Sequence, residues 1–76
     1  MFDKEKIVEI IEEVIGIKIN DLTINPFEHG LNSLGVLKLV TFIENRLNIE
    51  VDDNDLTIDN MSSINSIIKM VEKNDD

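Results

Sequence analysis

Apolar residues gather in three blocks with helical spacing, separated by two polar, turn-rich connections. In the first block, Ile7, Ile10, Ile11, Val14 and Ile15 recur every three or four positions, the period of a helix with one buried face. Asp3 stands where a cap accepts from the first turn, Phe2 and Ile7 stand at staple positions, and Gly16 offers a stop. This spacing predicts a helix over residues 4–15. In the second block Val36, Val40, Ile43 and Leu47 form a stripe, which predicts a helix from Ser33 to Leu47 closed by Asn48. Leu37, Lys38 and Thr41 lie off that stripe. In the third, Ile64, Ile67, Ile68 and Val71 face inward from a helix that Ser62 can cap, and Asn74 begins a frayed tail.

The connections differ. Residues 16–32 hold the turn formers Gly16, Asn20, Asp21, Asn25, Pro26 and Gly30, yet also Ile17, Ile19, Leu22, Ile24 and Phe27. That is too much apolar surface for a free loop. The alternation over 17–24 suits a strand, but a lone strand would have no partner. The expectation is a loop pinned to the core by its side chains, and structured loops of this length are often functional. Residues 49–61 are mixed, with a short helical turn expected at Leu56 to Met61. The pattern predicts an all-α fold: a small helical bundle of three main helices and one short one, a single domain over residues 1–76. Its core is expected from Ile7, Ile11, Val14, Val40, Ile43, Ile64, Ile68 and Val71.

Composition narrows the function. With 76 residues and 42% hydrophobic content, the chain has material for one small core. It has no cysteine, hence neither a disulfide nor a thiolate metal site, which fits a reducing compartment. The charged start, Met1 to Lys6, does not suit a signal peptide, and no apolar run has the length of a membrane span. A cytoplasmic protein that binds no membrane is expected. A net charge of −9 argues against nucleic acid, whose phosphates need clustered Lys and Arg. Glu50, Asp52, Asp53, Asp55 and Asp59 form an acidic stretch with no base among them, so mild acid or a divalent cation is expected to relieve repulsion there. A calcium loop starting at Asp53 meets Ile58 where glycine is needed and Ile64 where glutamate is needed. No dedicated metal site is predicted, which leaves only loose, weak cation binding over 50–59.

Ser33 carries the candidate chemistry. A serine in a helix's first turn is ordinarily just a polar residue, but three neighbours alter that reading. Asn32 can take the cap and so release the serine hydroxyl. Leu34 is a large apolar residue placed to face solvent, which suits docking. A helix N-terminus also favours a phosphate through its free N–H groups and dipole. A hydrolase fits poorly. A nucleophile elbow needs glycine at 31, where the chain has Leu31, and the only histidine, His29, shares the serine's loop four residues away. A hydroxyl with no acid or base nearby suits attachment better than catalysis.

Gly30-Leu31-Asn32-Ser33-Leu34 resembles the phosphopantetheine attachment motif of acyl and peptidyl carrier proteins, usually Gly-x-Asp-Ser-Leu. Phe27 to Leu31, Ile43-Glu44 and Ile49-Glu50-Val51 are similar to the family's flanking runs, and the helices fall in its order over nearly the whole chain. The resemblance implies a stand-alone, monomeric carrier without enzymatic activity. A phosphopantetheinyl transferase would place the 4′-phosphopantetheine arm of coenzyme A on Ser33. The arm's thiol would then hold an acyl or aminoacyl load as a thioester, which accounts for the missing cysteine. Loading enzymes and downstream synthases would be the other partners, meeting Leu34, Leu37, Lys38, Thr41, Ile58 and Met61. Two departures bear on the pathway. Asn32 replaces the usual aspartate, and Lys38 and Gly35 stand where fatty-acid carriers usually present acids. Polyketide, nonribosomal peptide or related specialised synthesis is favoured over fatty acid synthesis, and the sequence does not name the cargo. The alternative is a helical interaction module with no prosthetic group, its groove built from Leu34, Val36 and Leu37.

Overall fold

The structure, a computed structural model, describes residues 3–74. The staple expected at Phe2 lies outside that range. The described residues are all-helical, with no strand: α1 (Lys4–Ile15), α2 (Ser33–Leu47) and α3 (Ile64–Lys73), joined by segments that contain two short 3-10 turns.

Local chemistry sets each helix end. Asp3 caps α1 by accepting from the N–H of Glu5 at 3.0 Å, and Gly16 ends it in the left-handed region with φ 77°. Asn32 caps α2, and Asn48 closes it at φ 55°, a conformation that asparagine tolerates better than most residues. The third cap differs from expectation by one residue. Ser63, not Ser62, accepts from the N–H of Ser66 at 3.0 Å, while the Ser62 hydroxyl donates to the Asp59 carbonyl. The helix begins at Ile64 because that side chain must enter the core, which leaves Ser63 in the extended conformation a cap requires.

α1 packs against both α2 and α3. The core contains Ile7, Ile10 and Ile11 of α1, Leu39 and Ile43 of α2, and Ile64, Ile67, Ile68, Met70 and Val71 of α3. The expected core needs one correction. Val14 and Val40 are only half-buried, and Leu39, absent from the expected stripe, is 0% exposed. The buried face of α2 centres on Leu39 and Ile43, with Val36, Val40 and Leu47 along its edges. A stripe counted through Val36 and Val40 traces one edge of a broad face.

The long loop is pinned, as its apolar content requires. Ile19 and Leu31 are buried, and the Glu12 carboxylate accepts from the N–H of Ile19 at 2.7 Å. The carbonyls of Ile24 and Leu22 accept from the N–H groups of Ile64 and Asn65 at 3.2 and 2.9 Å. These are first-turn donors of α3, which have no acceptor within their own helix. The loop therefore needs no strand partner, because a helix start satisfies its carbonyls. Within it, Pro26–His29 forms a 3-10 turn that Asn25 caps by accepting from Phe27.

The second connection corrects two expectations. Its short helix is a 3-10 turn at Asp53–Asp55, started by the Asp52 side chain accepting from the N–H of Asn54. Leu56 to Met61 instead ends in one hydrogen-bonded turn, in which the Met61 N–H donates to the carbonyls of Thr57 and Ile58. Nor does the acidic stretch lack a base. Lys73 of α3 reaches the Asp55 carboxylate at 2.9 Å, and the Asn74 amide donates to its other oxygen at 3.0 Å. These two bonds hold the Asp55 carboxyl below the usual carboxylate range.

Candidate functional site

Ser33 is the first residue of α2, and the Asn32 carboxamide oxygen accepts from the N–H of Gly35 at 2.8 Å. The cap is thus made without the serine. Ser33 is exposed, and no described side chain hydrogen-bonds its hydroxyl. The N–H of Val36 donates to the Asn32 carbonyl, whereas the N–H groups of Ser33 and Leu34 precede the first helical bond. A phosphate attached at the hydroxyl would meet open donors and the positive end of the helix dipole. The chain's own residues thus fit a phosphodiester at this point.

Ser33 stands on the rim of an open cleft of about 530 Å³. Val36 and Leu37 of α2 form one wall, and Leu56, Thr57 and Ile58 form the other. Phe27 and Met61 complete the lining. Ile58 and Leu34 are each 77% exposed and Leu37 is 64% exposed, so three large aliphatic side chains face solvent near one hydroxyl. An apolar patch left in water suits contact with another molecule.

The expected partner-facing residues separate here. Leu34, Leu37, Lys38, Thr41 and Ile58 are exposed. Met61 is not. It is 2% exposed and fills the base of the cleft, because the turn that starts at Thr57 folds its side chain inward. The Thr41 hydroxyl is occupied within α2, donating to the Leu37 carbonyl at 2.9 Å. The Lys38 ammonium lies 5.7 Å from the centre of the Phe42 ring, and the Arg46 guanidinium lies 4.7 Å from the same ring. Arg46 also pairs with Glu13 of α1 through both of its terminal nitrogens. α2 thus presents two cations around an aromatic ring, one of them Lys38, which stands where fatty-acid carriers were expected to present an acid. Gly35 has a packing role as well, since a Cβ there would lie 2.9 Å from Cδ1 of buried Leu31. Phe27, Leu56 and Thr57 were not expected at the site. Phe27 had a signal, as the start of a run similar to the family's flanking sequence, whereas Leu56 and Thr57 stood in a segment that read as a connection.

No group of three or more described histidines or carboxylates converges on a common point that suits a metal ion. No helix among the described residues is long and apolar enough to cross a membrane.

The family model for the phosphopantetheine attachment site matches residues 5–71. The D-alanyl carrier proteins of Bacillus cereus strain B4264, Bacillus cereus strain AH187 and Bacillus anthracis strain CDC 684 are each 36% identical to this chain over 73 residues. Each match covers 92% of this chain and 92% of the relative. Members of this family are non-catalytic carriers that bear a covalent 4′-phosphopantetheine and meet the enzymes that modify and load them. By that match, across a helical fold that sets a bare serine at the head of a helix, the chain belongs to the phosphopantetheine-attachment family of carrier proteins.

Proposed function

We propose that Ser33 is the attachment point and that the arm it bears holds a small aminoacyl load, D-alanine, as a thioester. The observation that carries the first half is the division of labour at the start of α2. Asn32 makes the cap, so the Ser33 hydroxyl stays exposed and unengaged at a helix N-terminus. Attachment would join the Ser33 oxygen to the phosphate of the pantetheine half of coenzyme A, with the adenosine bisphosphate half leaving and the hydroxyl proton lost. The arm's thiol would tether the load, so that it meets successive enzymes at high effective concentration. The need for coenzyme A supports a place in the cytoplasm.

The second half rests on the carriers that match nearly the full chain and on the scarcity of acids along α2, where Lys38 and Arg46 stand against Glu44. The cleft favours a second reading. Val36, Leu37, Leu56 and Met61 offer an apolar surface that a fatty or polyketide acyl chain would use and D-alanine would not.

Intact-mass analysis tests both halves. Coenzyme A with a broad-specificity transferase should add one phosphopantetheinyl unit to the wild type and none to Ser33→Ala. Addition at Ser62, Ser63 or Ser66 would overturn the assignment. Protein isolated from its own host should carry a D-alanyl mass on the arm. A long acyl mass would favour the second reading.

A further inference from the structure

Asp55 is the one charged residue that is largely buried among the described residues, at 9% exposure. A carboxylate so placed is costly unless paired, and each of its oxygens has a partner from the end of α3. The partners are interlinked. The Asn74 amide donates both to Asp55 and to the Met70 carbonyl, and its oxygen accepts from the N–H of Asp52 at 3.1 Å. The Asn60 amide donates to the Asp55 backbone carbonyl at 2.6 Å. The carboxylate thus ties Asp55 to the end of α3, where Asn74 also holds Asp52, while Asn60 is tied to the Asp55 backbone.

The segment from Asp52 to Asn60 contains the outer wall of the cleft beside Ser33. Between Asp55 and Met61 the chain has no α-helix, and Thr57 and Ile58 are exposed. The wall is held by the buried Met61 side chain at one end, by Leu56 packed against the core, and by the Asp55 clasp at the other end. The facing wall, Val36 and Leu37, belongs to a fifteen-residue helix and is fixed by it. The clasp is therefore the ionic part of what sets Ile58 relative to α2, beside the apolar anchors Leu56 and Met61.

We infer that Asp55, held by Lys73 and Asn74, is a positioning residue for the attachment site. It sets the loop that carries Ile58 against α2 and so shapes the apolar rim that a modifying enzyme meets around Ser33. The inference rests on Ser33 being the attachment point only for its functional half. The clasp itself is a property of the unmodified chain.

Two variants test it, both in the full chain. Asp55→Asn keeps the size but loses the charge and one acceptor. Lys73→Ala removes a cation whose side chain is 70% exposed and leaves the buried face of α3 untouched. Hydrogen exchange on the unmodified proteins reads the clasp. The amides of Leu56, Thr57 and Met61 should exchange at least tenfold faster in both variants, while those of Leu39 and Ile43 keep wild-type rates. Modification of Ser33 by a broad transferase with coenzyme A reads the consequence. KM for the carrier should rise at least threefold with kcat within twofold of wild type. Unchanged exchange at the loop, or equal acceleration along α1 and α2, would overturn the clasp. Faster loop exchange with unchanged KM would overturn its positioning role. A wild type that accepts no group at Ser33 would overturn the attachment reading instead, and exchange alone would then judge the clasp.

Discussion

At the scale of single residues, Asn32 and Ser33 divide two tasks that one side chain often shares. Asn32→Ala should cost about 0.5–2 kcal/mol of folding stability, because the N–H of Gly35 loses its acceptor. Ser33→Ala should cost much less, since its hydroxyl bonds to no described group. Urea unfolding of both variants checks this, and a Ser33→Ala chain that failed to fold would make the hydroxyl structural. Asn32→Asp retains the capping oxygen and adds a negative charge at the positive end of α2, so a gain of about 0.3–1 kcal/mol is expected at low salt. The gain should shrink as salt is added. Ile43→Ala, at a position 0% exposed, should remove about 2–5 kcal/mol, a large part of what so small a domain has.

Among the elements, α2 has most to do. It supplies Leu39 and Ile43 to the core, Val36 and Leu37 to the cleft, and Lys38 to solvent. Lys38→Glu should speed loading by fatty-acid synthase enzymes whose docking surfaces are basic, chiefly through a faster, salt-sensitive association. The substitution also sets a carboxylate near Glu13, whose charge Lys38 now helps to stabilise, so a small loss of stability should accompany it. Loading rates at two salt concentrations decide, and equal rates would mean the absent acids do not govern partner choice. The main helices were legible in the sequence because three- and four-residue apolar spacing and Asp3, Gly16, Asn32 and Asn48 agree on their bounds. So was the local geometry at Ser33, where Asn32 takes the cap and leaves the serine exposed. The outer wall was not. Met61 reads as exposed until the turn at Thr57 folds it inward, and Asp55 reads as one more repelling acid until α3 brings Lys73 from eighteen residues away. Leu39 was hidden by two valines that flank it.

For the molecule as a whole, the Asp55 pair works against the stabilisation by mild acid expected of the acidic stretch. Its carboxyl titrates lower in the folded chain than in the unfolded one, so the stability it contributes is complete above the ordinary carboxylate range. That contribution is lost as pH falls through the ordinary value towards the lowered folded one. Thermal melts from pH 7 down to pH 3 should therefore show a drop on the acid side that is smaller in Asp55→Asn. An equal drop in both would assign acid sensitivity to other groups. Glu13 is lowered too, by Arg46, but water screens that exposed pair and little is expected from it. The bonds from the N–H groups of Ile64 and Asn65 to the carbonyls of Ile24 and Leu22 have a consequence in time. The loop that leads to Ser33 takes its acceptor role only when α3 exists, and α3 leaves the ribosome after that loop and after α2. A chain stopped at Ser63 should be a poor substrate for the transferase, measured against the full chain by mass. Attachment of the arm would then wait until α3 has been made, and a carrier stopped short of it would go uncharged.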